Sequence, residues 1–201
     1  MRTRVIRTGE PDDVRFCLVF PREALSVPVM RHVLGDTLTQ LGLDSDSISD
    51  LLLAVTEACT NVLRHSGRGH RYEVVARIGR NRCVLQVLDS GRGLDPSVAA
   101  SLRPVGRSSG PGSGTFTLPR PSAIRPRMAW GRRAEERAVA RLPESGRGLA
   151  IMRACVDDVT LRSRPGRGTV VSLRKRIELR SDAPLSAPDP REEPAPLRHA
   201  G

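Results

Sequence analysis

At 201 residues the chain suits one domain with terminal trimmings; it has no run near the roughly 18 apolar residues of a membrane span. Met1 to Glu10 lacks the apolar core of a secretory signal, so a cytoplasmic protein is expected. The net charge of +11 raises nucleic-acid binding, but aromatic residues make up only 2% and offer no stacking platform.

Arg15 to Phe20 reads as a short strand between Pro11 and Pro21. Val27 to Gly42 has helical spacing, with Val29, Val33, Leu34, Leu38 and Leu41 on one side. A second helix is predicted from about Asp46 to His65, with Asp44, Ser45 and Asp46 all able to cap it. Its apolar stripe is Ile48, Leu51, Leu52, Val55, Cys59 and Val62, and Gly67 and Gly69 end it. Strands are expected at Arg71–Ile78 and Arg82–Leu88, joined by Gly79-Arg80-Asn81 as a hairpin.

Between Pro96 and Pro143 lie nine arginines against two glutamates, a surplus of +7, in a stretch rich in Pro, Gly and Ser. That composition predicts a disordered low-complexity insertion, and it localises much of the positive charge away from any folded groove. After it come a short helix at Gly148–Val156 and a strand at Val159–Arg164. The turn Pro165-Gly166-Arg167-Gly168 leads into a last strand, Thr169–Ile177. From Arg180 five prolines interrupt a polar tail, expected to be disordered over 180–201. Strands with intervening helices and hairpins argue for a two-layer α/β sandwich with a mixed, largely antiparallel sheet, spanning residues 12–178. Cys17, Cys59, Cys83 and Cys155 are far apart, each within an apolar element, which fits buried reduced thiols rather than a zinc site.

Four short patterns fall on these elements. Glu57 and Asn61 are four apart and share a helix face, where an amide oxygen can ligate magnesium and a carboxylate can orient a hydroxyl. A solvated polar face is the alternative for that pair alone. Asp89-x-Gly91-x-Gly93 follows a strand, so the carboxylate can accept from an exocyclic amine while the glycines let backbone pass closely beneath a base. By itself it also fits an ordinary turn. Gly146-x-Gly148-Leu149-Ala150 opens a helix, where unpaired N–H groups favour phosphate. Gly166-x-Gly168-Thr169 turns into a strand.

In that order and context the four patterns resemble the GHKL ATPase superfamily. Two longer stretches, Glu57 to His65 and Leu149 to Val159, resemble bacterial anti-sigma-factor serine/threonine kinases. The resemblance covers about Asp46 to Leu173, and it implies a Bergerat-type ATP-binding fold with helices on one face of the sheet. It implies ATP and Mg²⁺ as ligands, with Asn61 on the metal. Asp89, Gly91, Gly93, Gly146, Gly148, Leu149 and Thr169 would hold the nucleotide, Thr169 through water, and Glu57 would be the catalytic carboxylate. The implied partners are a sigma factor, a STAS-domain anti-anti-sigma factor and a second copy of the chain. Direct nucleic-acid binding is not expected as the main function, because the surplus charge sits in the low-complexity stretch and aromatic residues are scarce. A non-catalytic ATP-binding regulator that grips its partner without phosphotransfer is the alternative. Two features depart from the pattern: Leu94 to Ser145 exceeds the usual ATP lid, and Ala150 stands where histidine kinases often carry another glycine. None of His32, His65, His70 or His199 has the helical-hairpin setting of a phosphoacceptor histidine.

Overall fold

In the computed structural model the described residues are 2–5, 13–65, 67, 69–94, 99, 102–110, 113–118, 144–181 and 183–185. Eight strands form one sheet: β1 (Arg2–Val5), β2 (Val14–Pro21), β3 (Arg71–Ile78), β4 (Arg82–Asp89), β5 (Arg103–Gly110), β6 (Ser113–Thr117), β7 (Asp158–Arg164) and β8 (Gly168–Arg176). Their order is β1-β2-β3-β4-β8-β7-β6-β5, and every described pairing is antiparallel. The expected sandwich is present, although no parallel pair occurs among the described residues. Three helices pack on the sheet, α1 (Ser26–Gln40), α2 (Ser45–His65) and α3 (Glu144–Cys155).

The period-two alternation of the strands sends one set of side chains toward the helices. Two cross-strand rows on that side are apolar: Phe16, Ala76, Leu85, Leu173 and Val159, then Leu18, Val74, Val87, Val171, Leu161 and Phe116. They close over Met30, Leu34 and Leu38 of α1, Leu51, Val55, Cys59 and Val62 of α2, and Met152 of α3. The next row on the same side starts in the core with Phe20 and Tyr72 and turns polar at Asp89, Thr169 and Ser163. Along β4, β8 and β7 the apolar core therefore stops one row short of the strand ends, and the site begins there.

Helix α2 carries clear start and stop chemistry. Of three candidate caps, Asp44 is the one used, accepting a bond from the Ser47 N–H at 2.8 Å. Asp46 in the first turn and Arg64 in the last suit the helix dipole. Gly67 takes a left-handed φ of +68° past the end. Arg22 donates to the carbonyls of Leu63 and Gly67, satisfying acceptors left over at the helix terminus.

Five expectations are corrected. Strand β1, outside the expected 12–178 span, pairs with β2. Val29, assigned to the buried side of α1, is 46% exposed, whereas Met30 is buried. Ile48 and Leu52 are only partly buried, because Ala54 and Ala58 occupy the tightest part of the α2 interface. Much of the expected low-complexity insertion at 96–143 is ordered: β5 and β6 form a hairpin joined to β7, with Leu102, Phe116 and Leu118 buried. Residues 119–143 lie outside the described residues. The first part of the 180–201 tail also docks. The Arg180 N–H donates to the Gly42 carbonyl at 2.8 Å, and Ala183, 4% exposed, packs over Gly42. The rest of that tail, from 186, is outside the described residues.

Candidate nucleotide site

The polar end of the sheet meets the second half of α2 in a cleft. Its lining is Ala58, Asn61, Val62 and His65 from α2, Asp89 and Gly93 from the end of β4 and its turn, and Thr169 and Val171 from β8. It encloses about 360 Å³ of empty space, part of it continuous with solvent. Ala58, Val62 and Val171 give it apolar walls, with a few convergent polar groups, which is the composition of a small-molecule site.

Asp89 and Thr169 are directly opposite each other on β4 and β8. One Asp89 carboxylate oxygen, Oδ1, accepts the Gly91 N–H at 2.7 Å, which fixes the carboxylate at the head of the turn. Gly93 has φ +86°, and a Cβ there would sit 2.8 Å from the Arg164 carbonyl oxygen. Gly168 is tighter still: with φ +94°, its Cβ would lie 1.9 Å from the Asp89 carbonyl oxygen. The Ser163 hydroxyl accepts the Leu94 N–H at 2.7 Å, pinning the far side of the same turn.

Asn61, expected on the metal, lines this cleft, and Glu57, expected as the catalytic carboxylate, stands one turn before it on α2. Glu57 and Asn61 are half-buried, and α3 packs against α2 beside them. Gly148 is the contact point. A Cβ on it would stand 3.0 Å from Glu57 Oε2 and 3.5 Å from both amide atoms of Asn61. The absent side chain leaves room for both groups to meet at the start of α3. That helix begins at Glu144, earlier than expected, so its first-turn N–H groups are those of Glu144 to Arg147. Gly146 falls among them. Gly148 lies one position beyond and contributes closeness rather than a terminal N–H. Leu149 is partly buried and packs on the core, anchoring the helix start. Lys175 ties its other end down, donating to the Cys155 carbonyl at 3.0 Å and to Asp50 at 2.9 Å.

Among the described residues no three His, Cys, Asp or Glu side chains gather to cage a metal. What the site offers is one amide oxygen on Asn61 and a neighbouring carboxylate on Glu57. These are hard oxygen donors in a gap beside a helix start, and they fit a magnesium ion shared with phosphate oxygens and water.

Residues 20–175 match the model of the histidine kinase-like ATPase domain. The chain belongs to this family. Relatives include proteins named serine-protein kinase RsbW from Bacillus thuringiensis and Bacillus cereus, each 25% identical over 160 residues, covering 79% of this chain and 82% of theirs. A protein named anti-sigma F factor from a Thermoanaerobacter species is 27% identical over 150 residues, covering 73% of this chain and 82% of its own length. Of the residues expected at the site, Asn61, Asp89, Gly93 and Thr169 line the cleft together, Gly91 bonds to Asp89, and Gly148 sits against Glu57 and Asn61. Sequence reasoning passed over Ala58, Val62, His65 and Val171 as lining residues. The signal for Ala58 and His65 was helical spacing from Asn61, for Val62 its place four after Ala58 and three before His65, and for Val171 the period of two from Thr169.

Among the described residues no helix is long and apolar enough to cross a membrane. None of the four cysteines forms a disulfide, and Cys59, Cys83 and Cys155 are buried. Burial pushes the thiols of Cys59 and Cys83 up to about 12, so both stay protonated at neutral pH.

Proposed function

We propose that the chain is an ATP-dependent serine/threonine protein kinase of the cytoplasm that acts as an anti-sigma factor. It binds a sigma factor, works as a homodimer, and phosphorylates a serine on a STAS-domain anti-anti-sigma factor. The observation that carries this reading is the approach of Gly148 of α3 to Glu57 and Asn61, which brings a carboxylate and an amide together beside the early turns of that helix. The names of the relatives, serine-protein kinase and anti-sigma F factor, support it.

Each residue then has a task. Asp89 accepts a hydrogen bond from the exocyclic amine of adenine, and Thr169 completes that end of the pocket through water. Ala58, Val62 and Val171 contact the base, and Gly91 and Gly93 let the turn pass close beneath it. The N–H groups around Gly146 receive phosphate oxygens. Asn61 holds Mg²⁺, which neutralises charge on the phosphates. Glu57 orients the acceptor serine and takes its proton as the hydroxyl oxygen bonds to the γ-phosphorus. The bond from that phosphorus to the β–γ bridging oxygen breaks, and ADP leaves. Such transfer is mainly positioning and charge neutralisation, and a carboxylate base helps most once transfer is under way.

The test is phosphotransfer from labelled ATP to a STAS protein encoded beside this chain. Asn61→Ala should lose Mg–ATP binding, seen by calorimetry. Glu57→Ala should bind Mg–ATP and the sigma factor as wild type does, yet transfer no phosphate. Unchanged transfer in Glu57→Ala would remove Glu57 from the mechanism. Nucleotide-dependent sigma binding without any transfer in the wild type would establish the non-catalytic regulator instead.

A further inference from the structure

Arg92 lies between the two glycines of the Asp89 turn, and although exposed it is engaged at both ends. Its Nε donates to the carbonyl of His65, the last residue of α2, at 3.1 Å. Its own carbonyl accepts the N–H of Gly166, in the turn between β7 and β8, at 2.9 Å. Its aliphatic stem crosses Gly67, where a Cβ would lie 3.4 Å from Arg92 Cδ. A cation at the carbonyl end of a helix is also favoured by the helix dipole. One residue thus joins the three segments that build the cleft: α2 with Asn61 and His65, the turn with Asp89 and Gly93, and the turn leading to Thr169.

We propose that Arg92 is a positioning residue that sets the gap between the Asp89 wall and the α2 wall, and thereby tunes nucleotide affinity from the base end. The proposal rests on the reading of the cleft as an ATP site. Its place argues for positioning rather than phosphate contact. Arg92 bonds to the helix one turn beyond Asn61, whereas Gly148 and Glu57 mark the phosphate end on the opposite side of Asn61.

Calorimetric titration of Mg–ATP and Mg–ADP into wild type, Arg92→Ala and Arg92→Lys tests this, with the melting temperature of each protein measured without nucleotide. Arg92→Ala should weaken both nucleotides by the same factor, roughly three- to tenfold for the loss of one exposed hydrogen bond. Arg92→Lys, whose ammonium can still reach the His65 carbonyl, should recover most of that loss. The nucleotide-free melting temperature should move little in either variant. Wild-type affinity in Arg92→Ala would overturn the proposal, as would a lysine variant as weak as the alanine one. A loss for ATP far exceeding that for ADP would also overturn it, by showing direct phosphate contact. A wild type that binds neither nucleotide defeats the ATP reading itself, which separates that failure from the others.

Discussion

Gly148 is the residue on which the two ends of the proposed chemistry depend. Inside a helix a glycine costs about 1 kcal/mol relative to alanine, so helix stability alone favours replacing it. The Cβ of Gly148→Ala would crowd Glu57 Oε2 at 3.0 Å, an atom at the end of a flexible side chain that can shift aside. The variant should therefore be as stable as wild type or slightly more so in urea unfolding, while phosphotransfer falls at least tenfold. Wild-type transfer in Gly148→Ala would mean the Glu57 position is not set by this contact. Asp44 gives a second test. Burial is the largest single influence and raises its pKa, but the hydrogen bonds from Ser47 and from the Asp44 and Asp46 backbone together outweigh it, and the net shift is downward. A depressed folded pKa means the cap's contribution is complete above the unfolded carboxylate range near pH 4 and is lost as pH falls through the lower folded value. Asp44→Ala should cost about 1 kcal/mol at pH 7, with the gap to wild type closing in acid. A pH-independent difference in denaturant midpoints would show that the charge plays no part.

Among the elements, the β5–β6 hairpin is where composition misled. Arg103 to Thr117 is rich in Gly, Ser and Arg, yet its pairing partner is β7, some forty residues on. Local composition carries no trace of so distant a contact. Among the described residues the inward hints were single apolar residues, Leu102, Phe116 and Leu118, in a polar run. Phe116→Ala should cost roughly 3–5 kcal/mol, as for a buried aromatic, measured by chemical denaturation. A loss below about 1 kcal/mol would return the hairpin to the status of a dispensable insertion. The helices and the β2, β3, β4 and β8 strands were legible because their periodicity is internal to each segment. Within the site, Glu57 and Asn61 were legible as a shared helix face. That α3 packs beside them was not, since a helix's own spacing says which side is polar but not what lies against it. Arg92 was missed for the same reason: its bond to the His65 carbonyl is a tertiary fact with no sequence period.

For the whole molecule, ligand binding and folding are linked. A ligand that binds only the folded state stabilises it by RT ln(1 + [L]/Kd), about 2.7 kcal/mol at one hundred times Kd. Mg–ATP should raise the melting temperature, and Asn61→Ala should abolish the rise without lowering the nucleotide-free value. An equal rise in Asn61→Ala would place the nucleotide elsewhere. Surface charge of +11 leaves the chain attracted to polyanions in general, so these measurements belong at physiological salt, where weak non-specific contacts are screened.

The direct pairing of Asp89 with Thr169 has a consequence in time as well as in space. These two residues are eighty positions apart, and the β4–β8 ladder that aligns them closes the longest loop in the central sheet. Such closure is slow, because chain entropy is lost before the contact is gained. On a ribosome, β1 to β4 with α1 and α2 can assemble while β8 is still unsynthesised, so half the cleft exists before the other half. Nucleotide can then report only on a finished molecule: a nascent chain or one truncated before β8 would hold Glu57 and Asn61 on their helix and still bind nothing. Partner capture that requires bound ATP would be restricted in the same way to chains whose last strand has zipped into place.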